Sequence, residues 1–96
     1  MTSKQRSYLK GLAMNIEPVI QVGKGSVTPE FVDGVYECFN TRELVKISVL
    51  KNCFDDPKEI ANTIAERTRS EVVQVIGRKI VLYKRDKDNP RIELPG

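Results

Sequence analysis

Twice in this chain a β-type apolar run is followed, after a short polar stretch, by an N-cap residue and a proline. Pro18-Val19-Ile20-Gln21-Val22 precedes Thr28-Pro29, and the run from Glu43 to Lys51 precedes Asp56-Pro57. Proline at the first helical position gives up an N–H that has no intrahelical acceptor anyway. The Thr or Asp before it can accept from the free N–H groups of the first turn. The middle of the chain is thereby committed to strand, helix, strand, helix. Two strands joined by a helix form a right-handed parallel βαβ unit where they pair directly.

The flanking segments complete the pattern. Thr2 or Ser3 can cap a first helix running to about Ala13, with Leu9, Leu12, Ala13 and Ile16 at i, i+3, i+4 and i+7. Arg6 and Lys10 lie together beside that stripe. The second helix is expected over Thr28–Asn40, with Phe31, Val32, Val35, Cys38 and Phe39 inward and Asp33, Glu37 and Asn40 outward. In the strand Glu43–Lys51, Val45, Ile47 and Val49 share one face, while Leu44, Lys46, Ser48 and Leu50 make a mixed one. Asn52–Asp55 reads as a polar turn. Asp56-Pro57-Lys58-Glu59 reads as a capping box opening a third helix to about Arg69, buried through Ile60, Ala61, Ile64 and Ala65. Glu71–Ile76 and Lys79–Arg85 are β-rich runs around Gly77-Arg78, a hairpin signal. From Asp86 onward the composition is that of a turn, and the alternation in Arg91-Ile92-Glu93-Leu94-Pro95 predicts a short extended segment docked on the body. The order αβαβαββ predicts an α/β two-layer sandwich over a four-stranded mixed sheet, one domain over residues 1–96 with residues 86–96 as a tail.

Composition excludes several classes. No run approaches the roughly 18 apolar residues a membrane span needs, and Met1-Thr2-Ser3-Lys4-Gln5-Arg6 leads into no signal-peptide core. A cytoplasmic protein is expected. The 2 cysteines, Cys38 and Cys53, are too few for a disulfide scaffold or a zinc site. Cys38 falls in an apolar helical pattern, and Cys53, in a polar turn, reads as an exposed thiol. There is no histidine, hence no ordinary nucleophile–base pair. A dinucleotide fingerprint needs a glycine where Thr28 stands, and no Gly-x-x-x-x-Gly-Lys-Ser/Thr loop occurs. No catalysis, cofactor, metal or small-molecule substrate is expected. The net charge of +3 is unevenly placed: residues 1–28 carry four basic and one acidic side chain, 29–65 four and seven, 66–96 eight and five. Basic ends around an acidic middle allow one positive face.

The stretch Val22–Thr28 is the best candidate for using such a face. A strand, a tight glycine turn with a lysine on it, and a helix N-terminus place free backbone N–H groups beside a cation, which suits a phosphate oxygen. Gly23, Lys24, Gly25, Ser26 and Thr28 are the candidate residues of this loop for contacting a nucleic-acid backbone. Arg6 and Lys10 on the first helix, and Arg78 and Lys79 on the hairpin, are further candidates. Glu30 in the first turn competes with an anion there. Sheet-face stacking of the kind that needs exposed strand aromatics has only Tyr83 to draw on, for stacking or for packing.

Several separated motifs together resemble the YhbY family of small bacterial RNA-binding proteins, whose unit is the CRM (chloroplast RNA splicing and ribosome maturation) domain. They are Gln5–Ala13, Pro18–Thr28, Glu43–Ile47, Val73–Tyr83 and Ile92–Pro95. The resemblance implies a fold like the C-terminal domain of translation initiation factor three, with an RNA-contacting Gly-x-x-Gly loop at Gly23-Lys24-Gly25-Ser26. Serine stands at the fourth position, where the family has glycine. The resemblance also implies binding to ribosomal RNA in precursors of the large ribosomal subunit, and a monomer is expected. Two alternatives accompany this reading: an adaptor contacting a ribosomal protein through a patch at Tyr8, Ile92 and Leu94, and a DNA-coating protein of similar fold.

Overall fold

A computed structural model describes residues 1–96, in the element order α1 (Ser3–Ala13), β1 (Ile20–Val22), α2 (Pro29–Cys38), β2 (Leu44–Val49), α3 (Pro57–Thr68), β3 (Glu71–Ile76) and β4 (Lys79–Tyr83). The order is the predicted one. Each helix starts at the expected cap: the Thr2 and Thr28 side chains accept from Gln5 and Phe31 N–H. At Thr2 the Gln5 side chain answers, closing a capping box. Asp56 accepts from Lys58 N–H at 3.0 Å, so α3 has its cap, formed with Lys58 and without the reciprocal bond expected of Glu59.

The sheet order is β1-β2-β4-β3, with β1 parallel to β2 and the other pairs antiparallel. The central strands are buried on both faces, as the apolar pattern of β2 and β4 requires. The first strand departs from expectation. Instead of a buried strand over Pro18–Val22, it is a three-residue edge strand in which only Val22 is buried. Polar Gln21 and exposed Val19 are what an edge tolerates. The other edge, β3, carries a bulge between Val72 and Gln74.

Two apolar clusters occupy opposite faces of the sheet. The larger joins Val45, Ile47 and Val49 of β2 and Ile80 and Leu82 of β4 to Val35 of α2, Phe39 at its C-cap, and Ile60 and Ile64 of α3. The smaller joins Leu9 and Ala13 of α1 to Leu44, Val73, Val81 and Tyr83, with Ile92 and Leu94 of the tail packed against it. The two-layer sandwich thus describes α2 and α3 on the sheet. Helix α1 and the docked tail add a partial third layer, because the second face of β2 and β4 is itself apolar at one end. Each fully buried Leu or Ile contributes roughly 1.5–3 kcal/mol by leaving water. Cys53, expected as an exposed thiol, is buried in the larger cluster, and Tyr83 packs in the smaller one. No helix is long and apolar enough to cross a membrane.

Candidate nucleic-acid interface

The loop after β1 closes on itself. Ser26 N–H donates to Gly23 O at 2.9 Å, which puts Lys24 and Gly25 at the tip of a tight turn, both exposed. Their N–H groups have no acceptor within the protein. Neither Gly23 nor Gly25 has a left-handed backbone; that conformation falls on Ser26, at φ 55°. The position where the family has glycine therefore does need positive φ, and serine adopts it at a cost of about 1–2 kcal/mol. The turn bond and a hydrogen bond from Ser26 Oγ to the Asp55 carboxylate hold it there. Ser26 was a candidate donor to phosphate, but in this arrangement its hydroxyl donates to Asp55. Thr28 accepts from Phe31 N–H at 3.1 Å through its hydroxyl oxygen, leaving the hydroxyl hydrogen free.

Asp55 brings a carboxylate to the rim of the turn. Asp55→Asn keeps an acceptor for Ser26 and removes the charge. RNA affinity should tighten by about threefold at low salt and converge with wild type at high salt. Filter binding at two ionic strengths checks this, and equal affinities at low salt would contradict it.

The segment following β2 lies against the turn: the space beside Gly23 is bounded by Leu50 and Asn52. Val22 and Val49 are register partners on parallel strands, so the Lys24 turn and the segment that carries Lys51 leave the same end of the sheet. Sequence reading missed Lys51, which looked like the end of a strand. Arg78 is what holds this segment. Its Nε donates to Val49 O at 2.9 Å, and its Nη2 donates to Leu50 O and Cys53 O at 2.6 and 2.8 Å. An expected surface cation is here a clamp under the site.

The remaining candidates divide. Arg6 donates to Val72 O and, at 3.3 Å, to Val73 O; it caps the carbonyls freed by the β3 bulge and stands apart from the turn. Lys10 and Lys79 do come together. With Lys46, Gln74, Met14 and Ile76 they line a shallow groove of about 300 Å³ on the open part of the α1 face, without an acidic side chain. Lys79 Nζ donates to Ser48 Oγ at 3.0 Å. Lys46 Nζ donates to Ala13 O and Ile16 O at 3.2 and 3.3 Å, fixing a cation beneath the end of α1. Sequence reading placed Lys46 on a mixed strand face but assigned it no role. The rung Gln21–Ser48–Lys79–Ile76 crosses the whole sheet in register, one residue below Val22. Groove and turn thus lie toward the same end of the sheet, and α2 packs on the other face.

Comparison with known proteins bears on the family and the fold. A profile of the CRS1 / YhbY (CRM) domain matches residues 1–84. The chain is 43% identical over 95 residues to the Probable RNA-binding protein YqeI of Bacillus subtilis, covering 99% of both. It is 33% identical over 95 residues to a Haemophilus influenzae RNA-binding protein, covering 99% of this chain and 95% of that one. The solution structure of the hypothetical protein SAV1595 from Staphylococcus aureus matches with a TM-score of 0.84 at 49% identity, over 99% of both chains.

Proposed function

The chain belongs to the CRS1 / YhbY (CRM) domain family, and from that premise we propose that it is a non-catalytic, monomeric RNA-binding protein of the cytoplasm. Its target in this reading is ribosomal RNA in precursors of the large subunit. The observation that carries the proposal is the Lys24-Gly25 turn, with unpaired N–H groups beside the Lys24 side chain and the neighbouring segment clamped by Arg78. Backbone donors and a cation at a turn suit a phosphate, whatever the base. The choice of RNA is supported by the RNA-binding proteins among the relatives, and that of the precursor ribosome by the family resemblance. The adaptor reading loses part of its support, since Ile92 and Leu94 pack into the smaller core and only Tyr8 of that patch is exposed.

Binding of structured RNA, single strands and duplex DNA across a salt series tests the proposal. Lys24→Ala should weaken RNA binding by about five- to tenfold and reduce the slope of log K against log salt by about 1, for one lost phosphate contact. Unchanged affinity in the folded variant would sink the turn as the site. Equal affinity for DNA would favour the coating protein. Absence of the tagged protein from large-subunit precursor fractions in a sucrose gradient would remove the ribosomal target.

A further inference from the structure

Phe54 is 91% exposed, more than any other large apolar side chain of the protein. It sits in the segment taken from sequence as a polar turn, and both its neighbours are fixed. Cys53 is buried, its N–H donates to Leu50 O at 3.0 Å and its carbonyl accepts from Arg78. Asp55 accepts from Ser26 of the glycine turn. The ring is therefore held in water on a pinned loop, one peptide from the residue that contacts the turn. An uncovered ring gains nothing from burial within the fold. It stands on the segment that Arg78 clamps, which meets the glycine turn through Asp55 and Ser26.

We propose that Phe54 is a base-stacking residue. An RNA strand whose phosphate lies on the Lys24-Gly25 turn would lay one nucleobase on the Phe54 ring. A base inside a duplex has no free face to offer, so the ligand class is RNA with an unpaired nucleotide at this point: a single strand, a bulge or a loop. Stacking on an aromatic is sequence-tolerant because every base has a π-face. The turn supplies charge and Phe54 supplies selection for unpaired RNA. This inference rests on the reading of the turn as an RNA site.

The test compares wild type, Phe54→Ala, Phe54→Leu and Lys24→Ala on a 12-mer of oligo(A) and on a fully paired RNA duplex of equal length. Phe54→Ala and Phe54→Leu should each bind the single strand about tenfold more weakly, with duplex affinity and melting temperature unchanged. The chain has no tryptophan, so Phe54→Trp adds a sole indole whose fluorescence should be quenched by oligo(A) and not by the duplex. Wild-type affinity of Phe54→Ala for oligo(A), or an unquenched indole at saturation, would overturn stacking. If Lys24→Ala weakens binding while Phe54→Ala does not, the RNA site stands and Phe54 is removed from it. If neither weakens binding, the RNA reading of this end of the molecule fails as well. Unchanged RNA affinity in Phe54→Ala with loss of a ribosomal protein from pull-downs would assign the ring to a protein contact and overturn the proposal.

Discussion

Glu43→Gln should lower the stability of this protein by about 2–3 kcal/mol and loosen its last residues. Glu43 is only 2% exposed, yet it carries a carboxylate. Oε2 accepts from Asp86 N–H at 2.8 Å, and Oε1 accepts from Arg91 and Ile92 N–H, both at 2.6 Å. The tail is folded around this one side chain, and only so placed do Ile92 and Leu94 reach the smaller core. Glutamine can keep one acceptor oxygen but turns an N–H toward a donor at the other, leaving a buried N–H unmatched. For a domain of this size the loss corresponds to a fall in melting temperature of about 10–20 °C. Equal melting temperatures at pH 7 would refute it.

The same residue sets an acid limit. Burial raises the Glu43 pKa, but the N–H donors of Asp86, Ile92 and Arg91 and the Arg91 charge outweigh it, and hold the carboxyl below its ordinary value of 4.5. A carboxyl with a lowered folded-state pKa contributes stability that is present above the unfolded value and lost as pH falls through the folded one. Wild type should therefore lose stability below about pH 4.5, and the glutamine variant should lose less there. Tyr83 behaves oppositely. Burial first, then the Glu43 charge, raise its phenol above 10, so its contribution is present below pH 10 and fades as pH rises further.

The second large effect is expected at Arg78. Arg78→Ala removes the donors to three carbonyls and should cost about 2–3 kcal/mol. It should also weaken RNA binding more than Lys24→Ala does, because the segment carrying Lys51, Phe54 and Asp55 loses its anchor. Arg78→Lys separates clamp from charge. An ammonium group cannot reproduce the guanidinium fork, so lysine should recover less than half of the lost stability and affinity. Full recovery of RNA affinity by lysine would mean that Arg78 acts as a plain cation toward phosphate. Denaturant melts and RNA titrations on the same samples decide between them.

These assignments show what the sequence could and could not convey. Element order was legible because it is written locally: Thr28-Pro29 and Asp56-Pro57 mark helix starts by backbone chemistry alone, and Gly77, at φ 55°, makes the hairpin. The Lys24-Gly25 turn was legible for the same reason. What stayed hidden depends on partners distant in the chain. Periodicity gave α1 an apolar stripe but said nothing of which sheet face would receive it. Arg6 and Arg78 looked like surface charge, since the carbonyls they reach lie 66 and 25–29 residues away. Glu43 seemed to be a strand end, and its three donors are 43–49 residues on. Phe54 escaped notice because one aromatic among polar residues has no period.

The position of α1 has a consequence for the order in which the chain assembles. Leu9 and Ala13 pack on Leu44, Val73, Val81 and Tyr83 and beside the tail residues Ile92 and Leu94, all later in the chain. Helix α1 therefore has no complete surface to dock on until the hairpin is made. Until then its apolar stripe is in water, and an isolated helix of 11 residues is marginal on its own. Helix α1 is thus consolidated only after the segments that follow it, and its docking brings it together with the Ile92 and Leu94 segment across one face of the sheet.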